Sequence, residues 1–219
     1  MKHKLGLVHT SATLVPVFQE LCSEKLAGIP LFHISDDSLI KDVIAAGKLT
    51  PQVARRVNRA IHQAEDAGAT QILVTCSSIG DAIEASAPFC AVPVLRVDQP
   101  MADKAVGMGQ HIGVIATLPT TLDPTLRLVE KRARVHGKEI RTTAHLCKGA
   151  FEALMSGDSA THDRVVREGL QELMSKVDVI VLAQASMARV VDSLPEEEVK
   201  VPILSSPGLA IDHLAELLG

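Results

Sequence analysis

Ile72-Leu-Val-Thr-Cys76 and Ile180-Val-Leu-Ala-Gln184 are two versions of one apolar pattern, and the distance between them indicates the fold. Two further pairs of segments recur at nearly the same offset, between 107 and 109 residues: Gly6-Leu-Val-His-Thr10 with Gly113-Val-Ile-Ala-Thr117, and Val92-Pro-Val-Leu95 with Val201-Pro-Ile-Leu204. Valine-rich strands do resemble one another by chance. Three matches at almost one offset nevertheless favour an internal duplication of the chain.

Around the repeated segments, short runs rich in β-branched residues alternate with stretches of helical periodicity. The predicted strands are residues 4–8, 31–34, 71–75, 92–97, 112–116, 139–143, 177–183 and 201–204, and the clearest helical faces lie within 53–64 and 122–133. This alternation is typical of parallel α/β sheets. We therefore predict an α/β fold of two pseudo-symmetric lobes, each a four-stranded parallel sheet flanked by helices. The lobes are predicted to span residues 1–108 and 109–219, and the C-terminal helix can pack back on the first lobe.

The composition is that of a chain with a sizeable core, because 47% of its 219 residues are hydrophobic. Its 22 basic and 26 acidic side chains give a net charge of -4, and its only Phe, Tyr or Trp residues are four Phe. Nucleic acid is therefore not an expected partner, since both the cationic stripe and the stacking platform that it requires are missing.

The hydropathy of the chain predicts a soluble, cytoplasmic protein. No apolar run approaches the roughly 18 residues of a membrane span, and the short apolar run near the N-terminus does not resemble an export signal. The four cysteines show no disulfide or metal-ligand spacing, so reduced thiols are expected. No membrane partner is expected, and self-association into a homo-oligomer is left open.

Ligands of open parallel sheets gather at the carboxyl ends of the strands, where loops lead into helix N-termini. In both halves of this chain these positions carry mainly small or hydroxyl-bearing side chains. Hydroxyls and backbone N–H groups bind anions well, so a small-molecule carboxylate is the expected substrate. The predicted substrate-binding residues are Thr10, Ser11, Ser77, Ser78, Thr117, Thr121, Gln184, Ala185 and Ser186.

Cys76 is the predicted catalytic residue. It follows a buried strand and precedes Ser78 and Asp81, which together read as a capping box at a helix start. A thiol at a helix N-terminus is expected to have a lowered pKa and to be available as an acid, a base or a nucleophile. The competing interpretation is a buried, inert cysteine. Cys22 and Cys90 are interpreted as packing residues, and Cys147 is left unassigned.

Neither a metal nor an organic cofactor is expected. The nine histidines show no HExxH motif or i,i+4 pair, and no glycine-rich nucleotide-binding motif occurs. His9 is interpreted as structural, with substrate contact as the alternative. Asp98 is interpreted as a helix cap, with a place in the cleft as the alternative. Residues 196–198 are interpreted as a solvated turn.

Five segments of this chain together resemble the aspartate/glutamate/hydantoin racemase superfamily. They are Gly6-Leu-Val-His-Thr10, Thr75-Cys-Ser-Ser78, Gly113-Val-Ile-Ala-Thr117, Val181-Leu-Ala-Gln-Ala-Ser-Met187 and Pro202-Ile-Leu-Ser-Ser206. The resemblance implies two pseudo-symmetric lobes with a substrate cleft between them and chemistry without a cofactor. Family racemases typically carry one cysteine in each lobe, so that one removes the α-proton and the other returns it to the opposite face.

The chain departs from that pattern in its second half. Cys76 matches the first family cysteine, but Gln184 stands at the position of the second. Glutamine cannot relay a proton, although its amide can hold a carboxylate. Enzymes resembling arylmalonate decarboxylase also have one cysteine but keep the second-lobe thiol, and maleate isomerases carry both.

Three functions are compatible with this pattern. The first is racemisation or isomerisation by proton transfer at the α-carbon of a small amino acid or carboxylic acid, with Cys76 as acid and base. The second is decarboxylation of a malonate-like acid, with Cys76 protonating one face. The third is a carboxylate-binding protein without turnover. The sequence leaves the substrate undetermined.

Overall fold

The computed structural model describes residues 3–219, which form two compact units. The first unit ends at Asp98 and is completed by Pro207–Gly219, and the second is Gln99–Ser206. This division falls before the predicted boundary at residue 108, because the helix that follows Asp98 packs on strands and a helix of the second unit. The last helix packs in the core of the first unit, as the sequence allowed.

The first unit is a four-stranded parallel sheet in the order β2-β1-β3-β4. Its strands are β1 (Leu5–His9), β2 (Leu31–Ser35), β3 (Gln71–Val74) and β4 (Val94–Arg96). Its helices are α1 (Leu14–Lys25), α2 (Ser38–Ala46), α3 (Pro51–Asp66), α4 (Gly80–Ser86) and, last in the chain, α10 (Ser206–Leu218). Short 3-10 helices cover Ser77–Ile79 and Ala87–Phe89.

The second unit repeats this topology in the order β6-β5-β7-β8. Its strands are β5 (His111–Ala116), β6 (Arg141–Leu146), β7 (Val179–Leu182) and β8 (Ile203–Ser205). Its helices are α5 (Gln99–Met108), α6 (Pro119–Val135), α7 (Ala150–Met155), α8 (Ser159–Met174) and α9 (Ala188–Asp192), with 3-10 helices at Ala185–Met187 and Glu196–Glu198. The α/β class, the eight strands and the duplication are thus confirmed.

The predicted strands differ from the observed ones mainly at their ends. β4 and β8 begin after Pro93 and Pro202, since a proline has no N–H to give to the ladder. The helix predicted around residues 53–64 is α3, which begins with Thr50 accepting a hydrogen bond from the Val53 N–H at 3.3 Å and with Pro51 at its first position. Its buried stripe of Val53, Val57, Ile61 and Ala64 packs on the sheet.

The central strands β1 and β3 are buried along their whole length, and so is β7. A buried central strand must deliver the residues that follow it to the carboxyl edge of its sheet, which is where the candidate site residues lie. No helix within residues 3–219 is long and apolar enough to cross a membrane.

Candidate functional site

Cys76 lies at the carboxyl edge of the first sheet, just beyond β3. Because β1 and β3 pair in parallel and in register, the residues that follow them emerge at the same edge. The Thr10 hydroxyl and the backbone N–H groups of Ser78 and Ile79 are hydrogen-bonded to the Cys76 sulfur. The sulfur therefore lies among three hydrogen-bond donors. Donors at this position can also stabilise negative charge on a ligand bound next to the sulfur.

Ser77 and Ser78 are both buried and belong to a 3-10 helix whose N-cap is Cys76. The α-helix α4 begins only at Gly80, and the residue before it makes no side-chain cap. The prediction that the α-helix begins at Ser78 is therefore wrong, because an intervening 3-10 turn moves its start to Gly80. The thiol lies a turn away from the short α4 rather than at its N-terminus.

Burial raises the pKa of the Cys76 thiol, and the negative charge of Asp98 raises it further. The hydrogen bonds from Thr10, Ser78 and Ile79 act in the opposite direction but do not prevail. The predicted lowered pKa is therefore wrong. Although the residue is only half-buried, protein atoms crowd the sulfur, and desolvation disfavours the thiolate. At neutral pH Cys76 is a thiol, which is a proton donor.

Asp98 follows strand β4 and forms a buried ion pair with Arg96. Arg96 donates from Nε to Asp98 Oδ1 at 3.0 Å and from Nη2 to Oδ2 at 2.9 Å, and its Nη1 donates to Glu84 Oε1 at 2.6 Å. Asp98 is completely buried, and Arg96 is 3% exposed. Both carboxylate oxygens of Asp98 thus accept hydrogen bonds from Arg96. Asp98 also stands directly before α5, and its interpretation as a helix cap stays a prediction. The guanidinium packs on the backbone of Gly80.

His9 is completely buried and belongs to a chain of hydrogen bonds. Its Nδ1 lies 2.8 Å from Thr75 Oγ1, its Nε2 lies 2.8 Å from His33 Nδ1, and His33 Nε2 lies 3.1 Å from Gln19 Oε1. Since the Gln19 oxygen can only accept, one neutral arrangement satisfies these three contacts: Thr75 donates to His9, His9 to His33, and His33 to Gln19. In this arrangement the Thr75 hydroxyl does not donate to Val8 O, which lies 3.3 Å away. These contacts support a structural role for His9.

Desolvation by burial, followed by the neighbouring His33, lowers the pKa of His9 to about 4. Burial also lowers the pKa of His33. The two rings are stacked with centroids 5.1 Å apart, so a proton on one would be repelled by a proton on the other. Both rings are therefore neutral at pH 7.

Gln184 occupies the position in the second unit that Cys76 occupies in the first. It follows β7, has an extended backbone and is the N-cap of the 3-10 helix Ala185–Met187, as Cys76 is of Ser77–Ile79. Gln184 Oε1 accepts from the Thr117 N–H at 2.6 Å and from the Thr117 hydroxyl at 3.0 Å. Because the backbone N–H can only donate, the oxygen must face Thr117, which directs the two N–H groups of Gln184 elsewhere.

The remaining predicted binding residues differ in exposure. Thr117 and Thr121 are each 4% exposed, at the end of β5 and in the first turn of α6. Ser11 Oγ lies 2.7 Å from Thr13 Oγ1, Ala185 is half-buried, and Ser186 is exposed. Between Thr117 and Thr121, the buried hydroxyl of Thr120 has no hydrogen-bond partner within residues 3–219.

The other cysteines are placed differently. Cys22 and Cys147 are each 1% exposed in apolar clusters, and burial raises their pKa values to about 11 and about 12. Cys90 is half-buried against the core, while its neighbour Phe89 is 77% exposed. Burial and the charge of Glu65 raise the pKa of Cys90. Packing thus accounts for Cys22 and Cys147, but Cys90 also has polar neighbours.

Two groups of residues escaped the sequence analysis. The ion pair of Arg96 and Asp98 could have been inferred from their i,i+2 spacing at the end of a buried strand, where two charges on one face need each other. The cluster of His62, Glu65 and Cys90 combines an i,i+3 pair with a distant cysteine. The cluster does not fit an i,i+4 histidine pattern, because its helical pair is His62 and Glu65 at i,i+3.

A sequence model of the family "Asp/Glu/Hydantoin racemase" matches residues 3–214. No curated protein sequence matches the chain. Among solved structures, a putative Asp/Glu racemase from Yersinia pestis is similar with a TM-score of 0.75 and 21% identity, over 99% of both chains.

Two further solved structures show the same fold. Glutamate racemase isoform RacE1 from Bacillus anthracis has a TM-score of 0.73 and 19% identity, over 100% of this chain and 82% of that one. Aspartate racemase from Picrophilus torridus has a TM-score of 0.72 and 14% identity, over 98% of this chain and 94% of that one.

Proposed function

Because its family model matches nearly every residue, the chain belongs to the Asp/Glu/hydantoin racemase family, and we propose that it transfers a proton at the α-carbon of a small amino acid or carboxylic acid. The observation that carries this proposal is the Cys76 sulfur at the carboxyl edge of β3, hydrogen-bonded by Thr10, Ser78 and Ile79. The reaction is racemisation or isomerisation. Solved relatives named as glutamate, aspartate and allantoin racemases support this class of reaction.

In this mechanism Cys76 exchanges a proton with the substrate α-carbon. Removal of the α-proton leaves negative charge that spreads onto the adjacent carboxylate, and hydrogen-bond donors stabilise that charge. Removing one such donor typically costs about 3 kcal/mol of barrier. The raised pKa of Cys76 leaves less thiolate at neutral pH, but it makes each thiolate a stronger base and each thiol available to return the proton.

In the second unit, Gln184 is proposed to bind a carboxylate rather than to react. Its oxygen is held by Thr117, so the two N–H donors of its amide have a fixed direction. The unpartnered hydroxyl of Thr120 at the start of α6 offers a further donor at the same edge, where the 17-residue helix also favours negative charge. Without a second thiol, the opposite face of the α-carbon would receive its proton from water or from another side chain.

Decarboxylation of a malonate-like acid is the second candidate, and one observation favours it. A neutral thiol beside a buried carboxylate is a ready proton donor, and decarboxylation needs only the protonation of one face. The dependence of the rate on pH separates the two functions. Proton removal by thiolate accelerates as the pH rises through the pKa of Cys76, whereas decarboxylation that needs the thiol slows over the same range.

The decisive experiment incubates the protein with dicarboxylates, amino acids and substituted malonates in D2O and follows each by NMR. Proton transfer predicts exchange of the α-proton, and decarboxylation predicts loss of CO2. Either activity should disappear in Cys76→Ser and persist in Cys22→Ala, whose thiol is buried in the core. If no compound of the panel exchanges, isomerises or loses CO2 although some bind, the chain is a carboxylate-binding protein and the proposal is wrong.

A further inference from the structure

A group of three potential metal ligands lies on the first unit, apart from the residues assigned above. His62 and Glu65 lie one turn apart on α3, and Cys90 follows the 3-10 helix Ala87–Phe89. One ligand atom from each side chain lies within 4.8 Å of the other two. All three residues are half-buried, so the group is built into the fold but open to solvent.

Existing hydrogen bonds hold the group in place. His62 Nδ1 lies 3.1 Å from Glu65 Oε2, and Glu65 Oε1 accepts from the backbone N–H of Ala91 at 2.6 Å. Two ligands of one tetrahedral Zn²⁺, at bonds of about 2.0–2.3 Å, are roughly 3.3–3.5 Å apart. The His62 and Glu65 atoms are already near that separation, and the Cys90 sulfur lies within 4.8 Å of both.

The donor set specifies the class of metal. Imidazole and thiolate together with one carboxylate suit Zn²⁺ and related transition metals, whereas Mg²⁺ and Ca²⁺ prefer oxygen ligands. The Ala91 N–H orients the carboxylate from behind, as outer hydrogen bonds do in metal sites. Cys90 Sγ donates to Ser86 O at 3.6 Å, and binding of Cys90 as a thiolate would replace that hydrogen bond.

We propose that His62, Glu65 and Cys90 bind one Zn²⁺, with a fourth coordination position open to water. The metal would join the last turn of α3 to the segment that leads into β4. Cys90 would bind as a thiolate and release its proton to solvent, because a thiolate is the form that ligates zinc. The site is independent of Cys76 and of the proposed proton transfer.

The test uses the reduced, chelator-treated full chain and titrates it with Zn²⁺ in competition with a chromophoric chelator. We expect one high-affinity site per chain. Cys90→Ser and Glu65→Gln should each weaken binding by at least about 100-fold, since even outer-shell changes cost 10- to 100-fold. Titration with Co²⁺ should produce a thiolate charge-transfer band, which Cys90→Ser abolishes.

Two variants serve as controls. His136→Gln removes a histidine that lies 2.8 Å from Asp103 at the surface, outside the three-ligand group, and should leave Zn²⁺ affinity unchanged. Cys76→Ser should also retain the site. Loss of binding in Cys76→Ser, equal affinity in Cys90→Ser and the wild type, or absence of the cobalt band in the wild type would overturn the proposal. The wild-type cobalt spectrum decides the question even if a variant fails to fold.

Discussion

The buried His9 predicts that the first unit loses stability in mild acid. Its pKa is about 4 in the folded chain against an ordinary value of 6.5, with burial as the main cause and His33 as the second. Between these two values the unfolded chain binds a proton that the folded chain does not. The free energy of unfolding therefore rises with pH across this window, and the stabilisation is lost as the pH falls towards 4.

The magnitude follows from the two pKa values. Linkage gives a contribution of about 2 kcal/mol lost between pH 7 and pH 5, and about 3 kcal/mol lost by pH 4. Carboxylates with lowered pKa values, such as Asp36, also favour the folded chain at higher pH, so the wild type alone does not isolate His9. His9→Asn removes the titrating ring and can keep a hydrogen bond to Thr75.

The assay is urea unfolding followed by far-UV circular dichroism, since the chain contains no Trp or Tyr. The difference in unfolding free energy between pH 7 and pH 5 should be about 2 kcal/mol smaller in His9→Asn than in the wild type. Thr75→Val is the matched control. It removes the 2.8 Å contact to His9 but keeps the ring, so it should lower stability without removing the pH dependence. Parallel pH profiles for His9→Asn and the wild type would refute the reasoning.

Three further experiments test the candidate site. Asp98→Asn should lower the pKa of Cys76, because it removes a negative charge that raises this pKa. The measurement is the pH midpoint of iodoacetamide labelling at Cys76, and an unchanged midpoint contradicts the expectation. Gly80→Ala should lower the free energy of unfolding by about 1–3 kcal/mol, since the new Cβ would lie 2.3 Å from Arg96 Cζ and two ion pairs hold that guanidinium in place. The measurement is thermal or urea unfolding, and an unchanged unfolding midpoint would mean that Arg96 moves freely. In D2O the wild type should label one enantiomer much faster than the other, because Cys76 is the one acid and base assigned to it. Comparable labelling of both enantiomers would point to a second acid.

The strand positions and the candidate edge follow from local features of the sequence. Each central strand is a run of apolar residues long enough only for a buried parallel strand, and a proline precedes β4 and β8. The duplication adds that Cys76 and Gln184 stand at equivalent positions, which the matching N-cap geometry confirms. Features that depend on neighbouring residues in the chain, or on the periodicity of a strand, were therefore predictable.

The chemical state of Cys76 was not predictable, because groups that are distant in the sequence determine it. Thr10 reaches the sulfur from the end of β1, and Asp98 acts from beyond β4 while itself held by Arg96. The local pattern of Ser78 and Asp81 suggested a thiolate at a helix start, but a 3-10 turn separates the sulfur from α4. Burial of the sulfur raises the pKa of Cys76, whereas the local sequence pattern predicted that it would be lowered.

The raised pKa of the Cys76 thiol makes removal of the α-proton the more difficult of the two proton transfers in the proposed reaction. Returning a proton to a carbanion is easy for a neutral thiol, whereas removing the α-proton requires the thiolate that burial and Asp98 disfavour. A bound substrate carboxylate would add another negative charge near the sulfur unless hydrogen-bond donors neutralise it. The rate of proton removal should therefore depend on how completely the bound carboxylate is hydrogen-bonded.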